Sequence, residues 1–294
     1  MKKISNPTAL TIGIFDGVHK GHQAILKRVL KQAKEMRLKS AVVTFDPHPL
    51  KILKPGSKIP LLMSREHRIR LIKGMGIDYC FAFAFTKEFS RLNPEEFIKK
   101  ILIGRLSMKV LVAGENFLFG FRERGNLSLL KRLSRRYSFK LSSVRPIKIS
   151  RSIISSTRIR HAIVNGDLKT ASSMLGRPVV ILGTVVKGKA LGRDLGFPTA
   201  NIDPHHEAIP PAWVYSVDVK IDKKLYHGIL NISTHNIIEV HIFNFNKNIY
   251  GRDIEVIFKK KIRNEKRFRS LKALQNQIKL DIQKAAPYSN NFTL

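Results

Sequence analysis

Two histidines lie three residues apart near the start of the chain, in the stretch GIFDGVHKGH (residues 13–22). An apolar run precedes them and a helix-like pattern follows, so His19 and His22 stand where a strand is expected to pass into a helix. The first turn of a helix presents unpaired amides and a partial positive charge, which attract anions. Gly13 and Gly17 would let the backbone approach a phosphate. Imidazole donors would stabilise the charge that builds up in phosphoryl or nucleotidyl transfer.

Spacing alone leaves other interpretations of this stretch open. A His-x-x-His pair also fits a metal site, or two histidines at the surface. Asp16, in the same turn, is equally suited to holding the loop together through hydrogen bonds to backbone amides.

A second glycine-rich stretch, GKALGRDLGFPTANI, occupies residues 188–202. Its glycines can bring the backbone close to phosphates. Thr199 and Asn201 fall on the same side of an extended segment, where their oxygens suit a Mg²⁺ ion that carries a nucleotide. An ordinary β-turn capped by asparagine is the alternative.

The elements that position the first stretch form a repeating order. Strand-like apolar runs alternate with helix-like segments, which predicts a parallel sheet covered by helices. One of these helices has a well-marked start, with Asn93 as its N-cap and Pro94 at its first position. The predicted strands are ALTIGIF, SAVVTF, YCFAFAF and KVLVAG.

Past Arg177 and Pro178 the pattern changes to alternating β-branched and polar residues, which is typical of antiparallel strands. The predicted strands are PVVILGTVV, WVYSVDVKI, KLYHGILNIS, IEVHIFNF and DIEVIFKKKI. A compact barrel or curled sheet would close them, and a final helix begins at Ser270. We therefore expect two domains, residues 1–176 and 177–294.

Bulk properties narrow the class of protein. The chain has 294 residues, one cysteine and a formal net charge of +33. The start of the chain lacks the apolar core of a signal peptide, and no apolar stretch is long enough to cross a bilayer, which predicts a cytoplasmic protein with no membrane partner. The charge would attract any polyanion, but the basic residues are scattered and are interpreted as solvated helix faces, SREHRIR among them. We therefore expect no dedicated nucleic-acid partner, although a nucleic-acid-binding protein is the alternative from another class.

The sequence resembles one family along nearly its whole length. GIFDGVHKGH resembles the H-x-G-H signature of the adenylyl- and cytidylyltransferases. The first half is similar to the FMN adenylyltransferase module of the bacterial bifunctional riboflavin kinase/FAD synthetases, because TFDPHP, VAGENFLFG and ISSTRIR follow in the expected order. The resemblance implies a Rossmann-like nucleotidyltransferase domain.

That resemblance also implies roles for particular residues. His19 and His22 would be catalytic, and the 5′-phosphate of FMN would attack the α-phosphorus of ATP as pyrophosphate leaves. Residues expected to contact the flavin are Asp46, Pro47 and Asn116. Residues expected to bind ATP are Gly13, Phe15, Asp16, Gly17, His19, Gly21, His22, Ser156, Thr157 and Arg160.

The second half resembles riboflavin kinase, whose signature G-R-x-L-G-F-P-T-A-N is present at residues 192–201. The resemblance implies a β-barrel in which Glu239 takes the proton from the riboflavin 5′-hydroxyl. A salt-bridging strand residue is the alternative for Glu239. It also implies nucleotide binding by Gly188, Gly192, Thr199 and Asn201, with Mg²⁺ on the last two.

Two departures from the kinase pattern bear on its activity. Trp213 stands where the family usually has glycine, and the loop before Glu239 is shortened to THNI. The leading hypothesis is an enzyme that makes FMN from riboflavin and ATP and then FAD from FMN and ATP. The alternative is an FMN adenylyltransferase whose kinase domain is degenerate. The sequence gives no oligomeric state.

Overall fold

The structure, a computed structural model, describes residues 4–56, 59–188, 192, 195–206 and 208–285. The contacts divide the chain into two compact units. The first comprises Met1–Ile59 and Arg65–Ser156, and the second comprises Pro60–Ser64 and Thr157–Leu294. The domain limits at residues 176 and 177 stay a prediction of the sequence.

The first unit contains a five-stranded parallel sheet in the order β3-β2-β1-β4-β5. This confirms the predicted parallel sheet, and the four predicted runs supply β1 to β4. The fifth strand, at the edge, was not predicted. The strands are β1 (Thr8–Ile12), β2 (Lys39–Asp46), β3 (Tyr79–Ala84), β4 (Met108–Gly114) and β5 (Lys140–Val144).

Strand β1 occupies the point where the order of the sheet reverses, because its neighbours are β2 on one side and β4 on the other. Leu10, Val42 and Leu111, one from each of these strands, are fully buried, as expected when helices cover both faces. Ligands of open parallel sheets bind at such a reversal, outside the carboxyl ends of the strands. The loop that contains His19 leaves the sheet there.

Helices cover this sheet. The predicted helix start at Asn93 is confirmed, since its side chain accepts a hydrogen bond from the Glu95 amide at 2.8 Å. The helix continues as a π-helix over Phe97–Ile103. The α-helices of this part of the chain are α1 (Lys20–Glu35), α2 (Pro49–Leu53), α3 (Arg65–Gly74), α4 (Lys87–Ser90), α5 (Pro94–Glu96) and α6 (Leu127–Arg136). A two-stranded ribbon follows the sheet: β6 (Lys148–Ile149) and β7 (Ser152–Ile153).

The second unit contains a helix pair, a closed six-stranded barrel in the order β10-β11-β12-β9-β8-β13, and a C-terminal helix, Leu271–Ala285. The predicted barrel and final helix are therefore confirmed. The helix pair is α7 (Ser156–Val164) and α8 (Leu168–Leu175). The barrel strands are β8 (Val180–Val186), β9 (Ala200–Pro204), β10 (Trp213–Ile221), β11 (Lys224–Ile232), β12 (Ile238–Ile242) and β13 (Asp253–Asn264).

The two faces of the barrel wall differ in chemistry. Leu230 and Val240 are paired across β11 and β12 and are buried in the apolar interior, and the half-buried Ala200 of β9 pairs with Val240. One residue earlier on β12, Glu239 pairs with Asn231 and Asn201. Because successive side chains of a strand point to opposite faces, these three polar residues share the outer face.

Candidate active sites

The loop between β1 and α1 folds into a compact turn. Gly17 has φ = 88°, and Phe15 and Val18 also lie in the left-handed region, at 55° and 39°. The Val18 amide donates to the Phe15 carbonyl at 3.0 Å. Asp16 is buried in this turn. A positive φ is costly for a β-branched residue such as Val18, so the surrounding packing must hold this loop in place.

His19 is the N-cap of α1. Its Nδ1 accepts from the His22 amide at 3.3 Å, and it is only 5% exposed. Neutral imidazole has one donor and one acceptor nitrogen, so an accepting Nδ1 leaves the proton on Nε2. The ring therefore satisfies one amide of the helix start and offers a donor on its far side.

The His19 and His22 rings stack, with centroids 3.6 Å apart and an interplanar angle of 16°. The ring of Phe15 meets His22 edge-on, at 5.1 Å between centroids. Nitrogen lone pairs lie in the plane of each ring, so the lone pairs of stacked rings run in parallel planes and do not converge on one ion. This geometry favours a pair of hydrogen-bond donors over the metal-site interpretation.

Helix α7 begins beside this loop. The Ser156 hydroxyl donates to the Asp16 carbonyl at 2.8 Å, which joins two predicted ATP-site residues that are 140 positions apart in the sequence. Thr157 is exposed and Arg160 is half-buried. These two lie in the first turns of α7, within the second unit.

The predicted flavin residues follow β2 and β4. Asp46 ends β2 and is joined to Pro47 by a cis peptide bond, while the next residue, His48, is buried and caps α2. Asn116 is exposed, two residues after the end of β4. The carboxyl ends of parallel strands meet at one edge of a sheet, so these residues share the edge from which the His19 loop leaves.

A buried cation at this same edge was not predicted. Arg68, on α3, is 4% exposed, although its segment was expected to be a solvated helix face. Burial lowers the pKa of Arg68, and the carboxylates of Asp16 and Asp46 act against that lowering. Because three of the seven residues in SREHRIR are arginines, charge gave no signal that one of them points inward.

In the barrel, the register places Asn201 directly opposite Glu239. Glu239 is half-buried, and desolvation raises the pKa of its carboxyl group. A carboxylate that has lost hydration and gained no cationic partner is a stronger proton acceptor than an exposed one. No ion pair of Glu239 is recorded within the part of the chain that the structure describes, so the salt-bridge interpretation gains no support there.

The glycines of the second stretch lie against its polar residues. A Cβ atom on Gly188 would overlap the Asn201 amide, and one on Gly192 would lie 3.1 Å from the Thr199 hydroxyl. Thr199 also lines a cavity of about 380 Å³. Apolar and aromatic residues line it, including Val240 and Tyr250, together with the polar residues Asn246, Lys247 and Asn248. The lining is therefore mixed in polarity.

Trp213, the departure from the kinase pattern, packs within the second unit. Its ring occupies the space that a Cβ of Gly166 would need, at the turn between α7 and α8, where Gly166 has φ = 79°. The Lys261 ammonium lies 3.3 Å from the centroid of the indole. The shortened loop before Glu239 is a tight connection over residues 233–237, in which the Ser233 amide donates to the Ile237 carbonyl at 2.9 Å.

Two family models match the chain, one for each half. The FAD synthetase model matches residues 1–158 and the riboflavin kinase model matches residues 175–289. Together they cover the residues of both sites described above except Arg160.

Relatives of known name match over nearly the whole chain. The bifunctional riboflavin kinase/FMN adenylyltransferase of Buchnera aphidicola subsp. Schizaphis graminum is 38% identical, over 99% of this chain and 96% of the relative. The protein of the same name from Haemophilus influenzae is 36% identical, over 96% and 94%. The one from Escherichia coli K12 is 37% identical, over 92% and 90%.

A crystal structure described as a macrolide-efflux protein from Streptococcus pneumoniae superposes with a TM-score of 0.85 at 30% identity, and covers 98% of this chain and 96% of that one. Neither family model shares the transport function in that description. Of the helices in the described ranges, none is long and apolar enough to span a membrane.

Proposed function

The chain belongs to the bifunctional riboflavin kinase/FMN adenylyltransferase family, and from that membership we propose how its own residues divide two reactions. The enzyme is a transferase that phosphorylates riboflavin to FMN and adenylylates FMN to FAD, using ATP in each step. The assignment of the two reactions to different sites is supported by one observation. His19 caps α1 in the first unit, whereas Glu239 pairs with Asn201 in the second.

In the adenylyltransferase site, His19 and His22 donate hydrogen bonds to the phosphates of ATP over the start of α1. The His19 ring caps α1 through Nδ1, so it lies at the start of the helix, and the positive end of the helix adds to the attraction. The FMN phosphate then attacks the α-phosphorus and pyrophosphate leaves. The protein contributes alignment and charge stabilisation, and no covalent intermediate is required.

Other predicted residues complete this site in our proposal. Gly13, Phe15, Asp16, Gly17 and Gly21 shape the loop that receives ATP. Ser156, Thr157 and Arg160 bind phosphate oxygens, for which hydroxyl and guanidinium donors are suited. Asp46, Pro47 and Asn116 contact the flavin of FMN. The Ser156–Asp16 hydrogen bond supports the assignment of Ser156, because it joins that residue to the loop of His19 within the first unit.

In the kinase site, Glu239 accepts the proton of the riboflavin 5′-hydroxyl as that oxygen attacks the γ-phosphorus of ATP. Its raised pKa and its place on the outer barrel face support the role of base. Gly188 and Gly192 let the backbone approach the nucleotide closely.

Mg²⁺ fits the residues present in the kinase site. Thr199 and Asn201 offer the hard oxygen ligands that this ion prefers, and Mg²⁺ is usually held by few protein groups together with substrate phosphates. The Asn201 amide occupies the place that a Cβ on residue 188 would take, so Gly188 permits its present position. When bound, the ion supplies charge neutralisation on the transferred phosphoryl group. Thr199 and Asn201 would hold it, and Glu239 stays available as the base.

Product analysis tests the proposal. The purified chain is incubated with riboflavin, ATP and Mg²⁺, and separately with FMN, ATP and Mg²⁺, while flavins are followed by chromatography. We expect FMN and then FAD in the first reaction and FAD with pyrophosphate in the second. FAD from FMN alone would instead support the single-activity alternative. The cytoplasmic location stays a prediction of the sequence.

A further inference from the structure

The buried guanidinium of Arg68 joins the ends of two neighbouring strands. Its Nη1 donates to the Ile14 carbonyl at 3.0 Å and its Nη2 donates to the Phe45 carbonyl at 2.8 Å. Ile14 lies just after β1, in the loop that leads to His19. Phe45 directly precedes Asp46 and the cis bond to Pro47.

The Ile14 carbonyl therefore belongs to the loop that receives ATP in the proposed adenylyltransferase site, and the Phe45 carbonyl belongs to the end of β2, directly before the proposed flavin residues. A guanidinium is a rigid planar fork, so it fixes the separation of two acceptors in a way that the single ammonium of lysine does not. The Thr44 hydroxyl also donates to the Ile14 carbonyl, at 2.9 Å. This carbonyl is thus held by two donors, both buried.

Arginine side chains of α3 balance the acidic charge at this edge of the sheet. The carboxylates of Asp16 and Asp46 interact electrostatically with Arg68, and Arg65, one turn earlier on α3, lies 3.8 Å from the Asp46 carboxylate. The Nε of Arg68 is buried and has no hydrogen-bond partner among the described residues. A buried cation of this kind is retained only where its other contacts compensate for its desolvation.

We propose that Arg68 is a positioning residue for adenylyl transfer, which sets the distance between the ATP loop at Ile14 and the end of β2 at Phe45, directly before the flavin residues Asp46 and Pro47. The inference rests on the proposed function of the first unit. In-line attack of the FMN phosphate on the α-phosphorus tolerates little misplacement, and a shift of about 1 Å can lower a rate about 100-fold. Arg68 touches neither reacting atom, so its effect is expected on kcat and not on the affinity for either substrate alone.

Steady-state kinetics of Arg68→Met, Arg68→Lys and the matched control Arg70→Met test this. Arg70 lies on the same helix with an exposed side chain. For Arg68→Met we expect kcat of FAD formation from FMN to fall by about 100-fold, with KM for ATP and for FMN within about threefold of wild type and with riboflavin phosphorylation unchanged. Arg68→Lys should recover part of the rate, and Arg70→Met should match wild type.

A wild-type kcat in Arg68→Met, measured per folded molecule, overturns the proposal. If Arg68→Met does not fold, the kinetics of Arg68→Lys and Thr44→Val test the proposal instead. Lower kcat at unchanged KM supports the proposal, and wild-type kcat in both overturns it. A wild-type protein that makes no FAD from FMN would instead contradict the proposed function itself, so the two failures are distinct.

Discussion

Gly21 provides the space in which the His19 imidazole lies. A Cβ on residue 21 would approach Nδ1 and Cε1 of that ring to 3.1 Å, which is closer than such contacts ordinarily are. The glycine of the His-x-Gly-His motif therefore has a steric role. It lets the first histidine fold back over the start of α1, cap the His22 amide and stack on the second histidine.

Gly21→Ala is expected to displace the His19 ring and weaken its alignment with the phosphates of ATP. We expect FAD formation from FMN to slow by about tenfold or more, while riboflavin phosphorylation is unchanged. Gly74→Ala is the matched control, because a Cβ at residue 74 would meet nothing within 4 Å. Equal rates in Gly21→Ala and wild type would show that the motif does not depend on this packing.

Glu239→Gln is expected to abolish riboflavin phosphorylation and spare FAD formation from FMN. The general base must be ionised, and burial raises the pKa of Glu239. The acid limb of the kinase pH profile should therefore lie above the pH at which an exposed glutamate titrates, about 4.3. The limb is measured as kcat/KM for riboflavin against pH, and a profile that falls only at or below that value would contradict the role of Glu239.

The raised pKa of Glu239 also predicts how the stability of the protein depends on pH. A carboxyl group whose pKa is higher in the folded than in the unfolded chain lowers the free energy of unfolding above its folded pKa, and this loss disappears as the pH falls through and below the unfolded pKa. Glu239→Gln should therefore raise Tm at neutral pH and leave it unchanged in acid. A lower Tm at neutral pH would indicate that Glu239 has a stabilising partner.

Gly188→Ala is expected to push the Asn201 amide out of place, since the new methyl group would overlap it. If Asn201 holds Mg²⁺, the concentration of Mg²⁺ at half-maximal kinase rate should rise about tenfold, which corresponds to the loss of roughly one hydrogen bond or ligand contact. Titration of Mg²⁺ in the riboflavin assay measures this. Adenylyl transfer in the same variant is the internal control, and a parallel shift there would point to a general defect.

Trp213→Gly restores the residue that the kinase family usually has. The indole fills the space beside Gly166 and holds the Lys261 ammonium, so its removal should lower the free energy of unfolding by about 2–3 kcal/mol. KM for riboflavin should stay within twofold of wild type. A large gain in riboflavin affinity would instead indicate that the indole restricts the flavin site.

Local signals in the sequence predicted much of the fold. The Asn93 side chain caps a helix as expected, and Asp167 and Gly176 likewise cap the start and the end of α8, because each of these features depends on a few neighbouring residues. Strand β5 was missed. Its sequence, KLSSV, has neither an apolar run nor strict alternation, and it becomes a strand by pairing with β4.

Among the site residues, too, some were predicted from the sequence and others were not. His19, His22, Asn201 and Glu239 were found from motifs, since their residue types and spacing resemble a known family. Arg68 was not found, because only the tertiary structure brings the carbonyls of residues 14 and 45 within reach of one side chain. The steric role of Gly21 likewise depends on a ring orientation that spacing does not specify.

We expect one chain to carry two separate active sites, with FMN as the product of one and the substrate of the other. The direct measurement is conversion of riboflavin to FAD by His22→Ala, by Glu239→Gln and by an equimolar mixture of the two. We expect the first variant to stop at FMN, the second to leave riboflavin unchanged, and the mixture to form FAD. FAD formation from riboflavin by either variant alone, or none by the mixture, would contradict the account.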